Sequence, residues 1–290
     1  MKGSRDLNSL RLALVVLLSA MVLGCPRPHR PTGVLTTIPL HATIVRKLAD
    51  EWVTVRSIYN PGENPFMTPD DLPSRVGEVS EIGVYISIGG PYDRAPVSYF
   101  NNLRPGVPVA AAYDTKGFRN DVYFVWTDPS EARDMVDIIL DAILQLIPEH
   151  GEAMVQRAAE LKKQYNAEFH RQALQGGALG KNTFLCISPS VYYPADRLHL
   201  RRAGNYATPM PGKKLTDAEF QSAVETMKAA QSPLFILYSR YDDLDDVARL
   251  ARAANAHTLE LLLFPEDLRP DASLLDMIQE NARRASEADR

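Results

Sequence analysis

Six histidines, 36 acidic residues and two cysteines carry most of the coordination and acid–base chemistry available to this 290-residue chain. Imidazole and carboxylate groups bind transition metals or move protons when the fold gathers three or four of them. No His-Glu-x-x-His, His-x-His or Cys-x-x-Cys spacing occurs, so no pair of ligands is delivered by one helical turn or one hairpin. Nor is there a Gly-x-Ser-x-Gly elbow, a Walker loop or a dinucleotide fingerprint, and Ser188 has no histidine partner evident in the sequence. The chain is expected not to be an enzyme. Two residues stand out as possible ligand contacts. His41 falls one turn into the first helix, near the carboxyl end of a strand, where α/β crevices bind ligands; its other reading is a surface or interface residue. Glu63 sits in a turn-rich loop. Tyr59, Asp93, Tyr113, Glu266 and Asp267 are further polar groups near strand ends. His29, His150, His170, His199 and His257 are scattered and read as solvated, Asp128 as a helix cap, and Cys186 as a small buried apolar group.

The elements that must position these groups alternate between strand and helix. Val34–Ile38 reads as a buried strand, and Pro39 opens a helix in which Leu40, Ile44 and Leu48 recur at helical spacing. Val53–Tyr59 alternates apolar and polar residues, and Asn60–Pro65 is a loop. Val84–Ile88, Val107–Ala112 and Val122–Trp126 supply three more strands. Asp128-Pro129-Ser130-Glu131 starts a helix with an apolar stripe from Met135 to Leu146. A second helix is expected over 149–175, ended by the glycines of 175–180. Then follow strand Thr183–Ile187, helix Asp217–Ala230, strand Leu234–Tyr238, helix Asp242–Ala254, strand Leu259–Phe264 and a last helix after Asp271. This order predicts two α/β lobes, 33–148 and 181–290, each a mainly parallel sheet flanked by helices, joined by one long rigid helix. No internal sequence repeat is visible.

The first residues read as an address. Lys2, Arg5 and Arg11 precede an apolar run from Leu12 to Leu23. At about 1.5 Å per residue this run covers roughly 18 Å, short of a hydrocarbon core of about 30 Å, so residues 1–24 are expected to be a signal peptide. Val22-Leu23-Gly24-Cys25 resembles a bacterial lipobox, which implies lipidation of Cys25, and the Pro-rich stretch 25–32 suits an extended tether. A Cys25–Cys186 disulfide is the alternative use of the two cysteines. The protein is then exported and anchored to a membrane by lipid, facing the periplasm or the extracellular side. With 45% hydrophobic and 23% charged residues the chain is not a disordered one, and a net charge of −4 without a Lys/Arg block argues against nucleic acid as a partner.

Val34 to Pro73 resembles the N-terminal lobe of the zinc- and manganese-binding substrate-binding proteins of bacterial ABC transporters. The resemblance is carried by Val-Leu-Thr-Thr-Ile-Pro-Leu-His-Ala-Thr-Ile-Val-Arg-Lys-Leu-Ala-Asp, by Asn60-Pro-Gly-Glu-Asn-Pro and by Thr68-Pro-Asp-Asp-Leu. Phe124-Val-Trp-Thr-Asp-Pro129 is similar to the family's His-Val-Trp-Leu-Asp-Pro. The resemblance implies a solute captured between two lobes, small lobe tilts about a rigid helix, and an ABC permease and ATPase as partners. It also implies a zinc or manganese ion held by three histidines and one carboxylate. At the matching positions this chain has Phe66, Phe124, Ser188 and Phe264. Phenylalanine cannot coordinate a metal and serine is a weak zinc ligand, so the standard site is expected to be lost.

Two uses of the aromatic set remain open in the sequence. Phe66, Phe124 and Phe264 line a cleft for an apolar or aromatic solute, or they pack the lobes permanently together. The first suits the solute-binding component of an importer for an unknown solute. The second suits a surface lipoprotein that has left transport for an assembly or adhesion role.

Overall fold

The computed structural model describes residues 32–77, 80–90, 93–113, 124–179, 183–197, 201–230, 234–269 and 271–287. The expected signal segment, Cys25 and most of the Pro-rich tether, together with His29 and His199, lie outside these residues.

Apolar runs make the centres of two sheets. β1 (Gly33–Thr36) is buried throughout, as a strand covered by helices on both faces must be, and β3 (Ile82–Ser87) is buried along most of its length. β2 (Thr54–Ser57) and β4 (Val109–Ala111) flank them in a parallel sheet of order β2-β1-β3-β4. Between these strands run α1 (Pro39–Ala49), α2 (Leu72–Val76) and α3 (Arg94–Leu103). Pro39 starts α1, whose Leu40, Ile44, Val45 and Leu48 are buried. α4 (Pro129–Leu146) starts on the Asp128 carboxylate, which accepts from the Ser130 amide at 2.8 Å.

The second sheet contains β5 (Thr183–Cys186), β6 (Arg201–Tyr206), β7 (Leu234–Tyr238) and β8 (His257–Glu260), again parallel and in the order β6-β5-β7-β8. The two lobes thus share one topology without a visible sequence repeat. In each, the order reverses between the two central strands, β1 and β3 or β5 and β7, which puts a ligand-binding crevice at their carboxyl ends. α5 (Gly151–Leu179) joins the lobes, and α6 (Tyr192–Arg197), α7 (Asp217–Ala229), α8 (Leu244–Ala254) and α9 (Leu274–Glu287) complete the second. No helix among the described residues is long and apolar enough to cross a membrane.

β6, α3 and α6 have no counterpart among the expected elements, and three expected elements depart from their reading. The joining helix starts later and ends later than 149–175: a 3-10 turn, Pro148–His150, precedes it, and Gly176 and Gly177 are carried inside it. Glycine weakens a helix interior by about 1 kcal/mol but does not end it where no left-handed turn is needed. The strand expected over Val122–Trp126 is, where described, a 3-10 turn at Val125–Thr127, with the Thr127 hydroxyl donating to the Phe124 carbonyl at 2.7 Å. The last strand covers His257–Glu260 rather than Leu259–Phe264. Leu262 leaves the ladder because Asn281 takes both of its backbone groups, donating to its carbonyl at 2.9 Å and accepting from its amide at 2.8 Å. Asp267 then accepts from the amides of Leu263 and Phe264.

Candidate functional site

The carboxyl ends of both sheets face one another across a seam of aromatic rings. The loop after β2 brings Phe66, the turn before α4 brings Phe124 and Trp126, and the segments after β7 and β8 bring Tyr241 and Phe264. The Phe66 and Phe124 rings meet edge-on at 5.0 Å, Phe66 meets Tyr241 at 5.9 Å, and Tyr241 meets Phe264 at 5.6 Å. Trp126 touches Phe124 at 5.5 Å and Phe264 at 5.6 Å. Offset and edge-to-face pairs of this kind add about 0.5–1.5 kcal/mol each beyond their buried area. Phe124 is fully buried, and Phe264 and Tyr241 nearly so. The indole N–H of Trp126 donates to the Leu263 carbonyl at 2.7 Å, a hydrogen bond from one lobe to the other.

Ser188 is not part of this ring cluster. It starts a chain of buried hydroxyls: Ser188 Oγ lies 2.8 Å from Ser190 Oγ, which lies 3.4 Å from Ser239 Oγ, and Ser239 donates to Asp242 Oδ2 at 2.9 Å. Asp242 is buried, and burial pushes its carboxyl above the ordinary value while nearby donors oppose the shift. In the N-terminal lobe Asp93 holds the corresponding place. It accepts from the amides of Ile88 and Gly89 and from the Thr37 hydroxyl at 3.2 Å. Thr37 in turn meets the Tyr85 hydroxyl at 2.8 Å. Gly89 has φ +81°, and a Cβ there would meet the Tyr113 carbonyl oxygen at 2.7 Å, so only glycine fits this turn.

The two expected ligand contacts sit in different settings. Glu63 is engaged by Arg75 through both guanidinium nitrogens of the fork and accepts from the Asn60 amide at 2.8 Å, which closes its loop. The Arg75 guanidinium holds its carboxyl down to about 2. His41 is neither at the surface nor at an interface. It is fully buried, its ring 6.1 Å from that of Tyr113, and neither ring nitrogen has a hydrogen-bond partner. Burial lowers its pKa to about 3, opposed weakly by the Ile86 backbone, so the imidazole is neutral near neutral pH. Of the other described histidines, His150 stacks on Trp52 at 4.3 Å, while His170 and His257 are exposed. Cys186 is buried with its thiol pKa raised by desolvation.

Among the described residues no group of three or more His, Cys, Asp or Glu side chains is arranged to hold a metal ion. A pocket at the seam, lined by Tyr59, Glu63, Tyr241, Phe264 and Glu266 among others, has a volume of about 10 Å³. That holds no more than about one water molecule. Two larger grooves, of about 320 and 490 Å³, lie away from it, one between β3, β4 and α4 and one between β6 and α7. Nothing in the sequence marks Trp126, Tyr241, Ser239 or Asp242 as site residues. The expected strand ending at Tyr238 places the last three at a carboxyl sheet edge, but nothing in their spacing shows what they meet.

Two parallel four-stranded lobes of one topology, a single long helix between them and a seam at their carboxyl ends define a two-lobed solute-binding protein of the helical-backbone kind. The chain belongs to the zinc-uptake complex component A periplasmic (ZnuA) family, whose model matches residues 34–288. Members of this family are substrate-binding proteins rather than enzymes. Solved structures agree on the fold. A crystal structure of ZnuA is 13% identical, with a TM-score of 0.73 over 88% of this chain and 98% of that one. The periplasmic zinc-binding protein TroA from Treponema pallidum is 14% identical, with a TM-score of 0.75 over 89% and 99%. The SBP FpvC from Pseudomonas aeruginosa in complex with Mn²⁺ is 16% identical, with a TM-score of 0.74 over 90% and 97%. No curated protein matches the chain.

Proposed function

We propose that this protein is the solute-binding component of an ABC importer, exported and held at the membrane by lipid on Cys25, with a permease and an ATPase as partners. In this reading its inter-lobe centre no longer takes zinc or manganese in the manner of its family. One observation carries the loss: Phe66, Phe124 and Phe264, which match three ligand positions of the family, pack with Tyr241 into a single ring cluster. The three phenylalanine rings offer no lone pair to a cation, the Tyr241 hydroxyl is engaged with Asp267 at 2.8 Å, and Ser188, matching the fourth position, is turned into a hydroxyl chain. A solute taken between these lobes is apolar or aromatic, and it enters only after the rings part.

A second reading is supported by the Trp126–Leu263 hydrogen bond and the small volume of the pocket between Tyr59, Tyr241 and Phe264. Here the lobes stay closed, and the protein serves as an assembly or adhesion module on the cell surface.

Metal analysis of the purified protein, with a thermal-shift screen over zinc, manganese and aromatic solutes, tests both. The importer reading expects no stoichiometric zinc or manganese and a shift with some aromatic solute; saturation at 100 times Kd adds about 2.7 kcal/mol. One zinc or manganese ion per chain would overturn the loss of the site. The absence of any solute shift, with lobes that do not open in solution scattering, would favour the second reading.

A further inference from the structure

The hydroxyl chain that begins at Ser188 ends on a carboxylate that is only half satisfied. Asp242 Oδ2 accepts from the Ser239 amide at 2.8 Å and from its hydroxyl at 2.9 Å. Oδ1 is buried without a partner. The Ser188 hydroxyl and the Gly212 amide lie near enough to favour the charge, but neither reaches hydrogen-bond geometry with Oδ1. On the chain flanking β5, the backbone amide of Thr208 donates to the Ile187 carbonyl at 2.9 Å, one residue before Ser188, and the Thr208 hydroxyl is likewise buried and unpartnered. Of the four stranded polar atoms among the described residues, two belong to His41 and the other two are Thr208 Oγ1 and Asp242 Oδ1.

Their place in the fold is where a ligand is expected, at the carboxyl ends of β5, β6 and β7, across the point where the strand order reverses. The equivalent point of the first lobe is a control within the same molecule. There Asp93 collects two amides and the Thr37 hydroxyl, and no buried oxygen of it is left without a partner. A buried carboxylate oxygen with nothing opposite it is costly, and such groups are ordinarily paired or bound to a cation.

We propose that Asp242, Thr208 and Ser188 form a site for a bare monovalent cation of sodium's class. The donor set decides the class. It consists of oxygen atoms alone, with no imidazole or thiolate to favour zinc or copper. It carries a single negative charge, which one monovalent cation neutralises, whereas calcium sites commonly gather several carboxylates. The site contains none of the aromatic rings, shares only Ser188 with the four positions matched to the family's ligands, and does not depend on the importer reading.

The test is thermal unfolding of the mature protein in sodium, potassium and N-methyl-D-glucamine chlorides at one ionic strength, with ²³Na line-broadening as a direct readout. Saturating sodium raises Tm by about 3–6 °C over N-methyl-D-glucamine, and the gain disappears in Asp242→Asn and falls in Thr208→Val. Thr208→Val keeps the side-chain shape, so it decides the matter even where the aspartate variant does not fold. Equal Tm in all three salts, or the same sodium gain in wild type and Thr208→Val, overturns the proposal. Zinc found in the protein would overturn the proposed loss of the family's metal site without deciding the sodium result.

Discussion

The Trp126 indole nitrogen donates to the Leu263 carbonyl oxygen at 2.7 Å, and the two residues belong to different lobes. Trp126 is fully buried, so this bond is made out of water, and around it the rings of Phe124, Tyr113 and Phe264 exclude solvent. Trp126→Phe keeps most of the ring and strands the Leu263 carbonyl. A loss of about 1–3 kcal/mol is expected in denaturant unfolding, with faster amide exchange around residues 261–264. Unchanged stability and unchanged exchange would show that the bond does not hold the lobes.

Phe124 is the most enclosed ring of the seam. Phe124→Ala removes a fully buried aromatic side chain and should cost about 3–5 kcal/mol. Phe66→Ala, at a half-buried loop position, should cost less. Equal small losses at both would mean that the seam collapses around a missing ring.

The aromatic replacements themselves can be reversed. The combined variant Phe66→His, Phe124→His, Ser188→His and Phe264→Asp restores the residue types that the family resemblance implies. It should bind one zinc ion per chain in metal analysis and calorimetry, and the natural sequence is expected to bind none. Failure of the folded variant to bind zinc would remove the assignment of these four positions to one centre.

His41 gives the molecule an acid-labile point. Its pKa falls from an ordinary 6.5 to about 3 on folding, because burial disfavours the imidazolium. The unfolded chain therefore takes up the proton first as the pH drops. The stability linked to this group is present above pH 6.5 and is lost between pH 6.5 and 3, by about 4–5 kcal/mol over the whole window. His41→Phe should flatten that slope and, by removing two unpartnered ring nitrogens, raise stability at neutral pH by about 1–3 kcal/mol. An unaltered pH profile in equilibrium unfolding would contradict this account.

Glu63 should behave as a loop clamp. Glu63→Gln loosens its pairing with Arg75, and because both side chains reach solvent the loss is expected to stay below about 1 kcal/mol. The Glu63 contribution is present above its ordinary 4.5 and is lost as the pH falls toward 2, so the variant should differ least from the natural protein in strong acid. A large drop in affinity for any solute found in the screen would instead make Glu63 a ligand contact.

Local patterns in the chain already determined much of this molecule. The buried run at β1, Pro39 at the start of α1, the Asp128 cap of α4 and the alternation of strand and helix are set by neighbours along the sequence, so the two-lobed scaffold was legible there. The absence of histidine or cysteine ligand spacings was equally visible. Residues that meet across the seam were not. Phe66 and Tyr241 are far apart in the chain, and whether their rings touch depends on how two sheets are held by α5. Trp126 and Leu263 pair for the same reason, since a hydrogen bond between lobes has no local sequence signal. His41 illustrates the limit from the other side. Its place one turn into a helix put it near a crevice, but which face of α1 is covered, and by what, is decided by Tyr113 and the sheet beneath. The tertiary fold also stranded Asp242 Oδ1 and Thr208 Oγ1 while satisfying Asp93. Those outcomes follow from desolvation and packing geometry, which only the folded chain fixes.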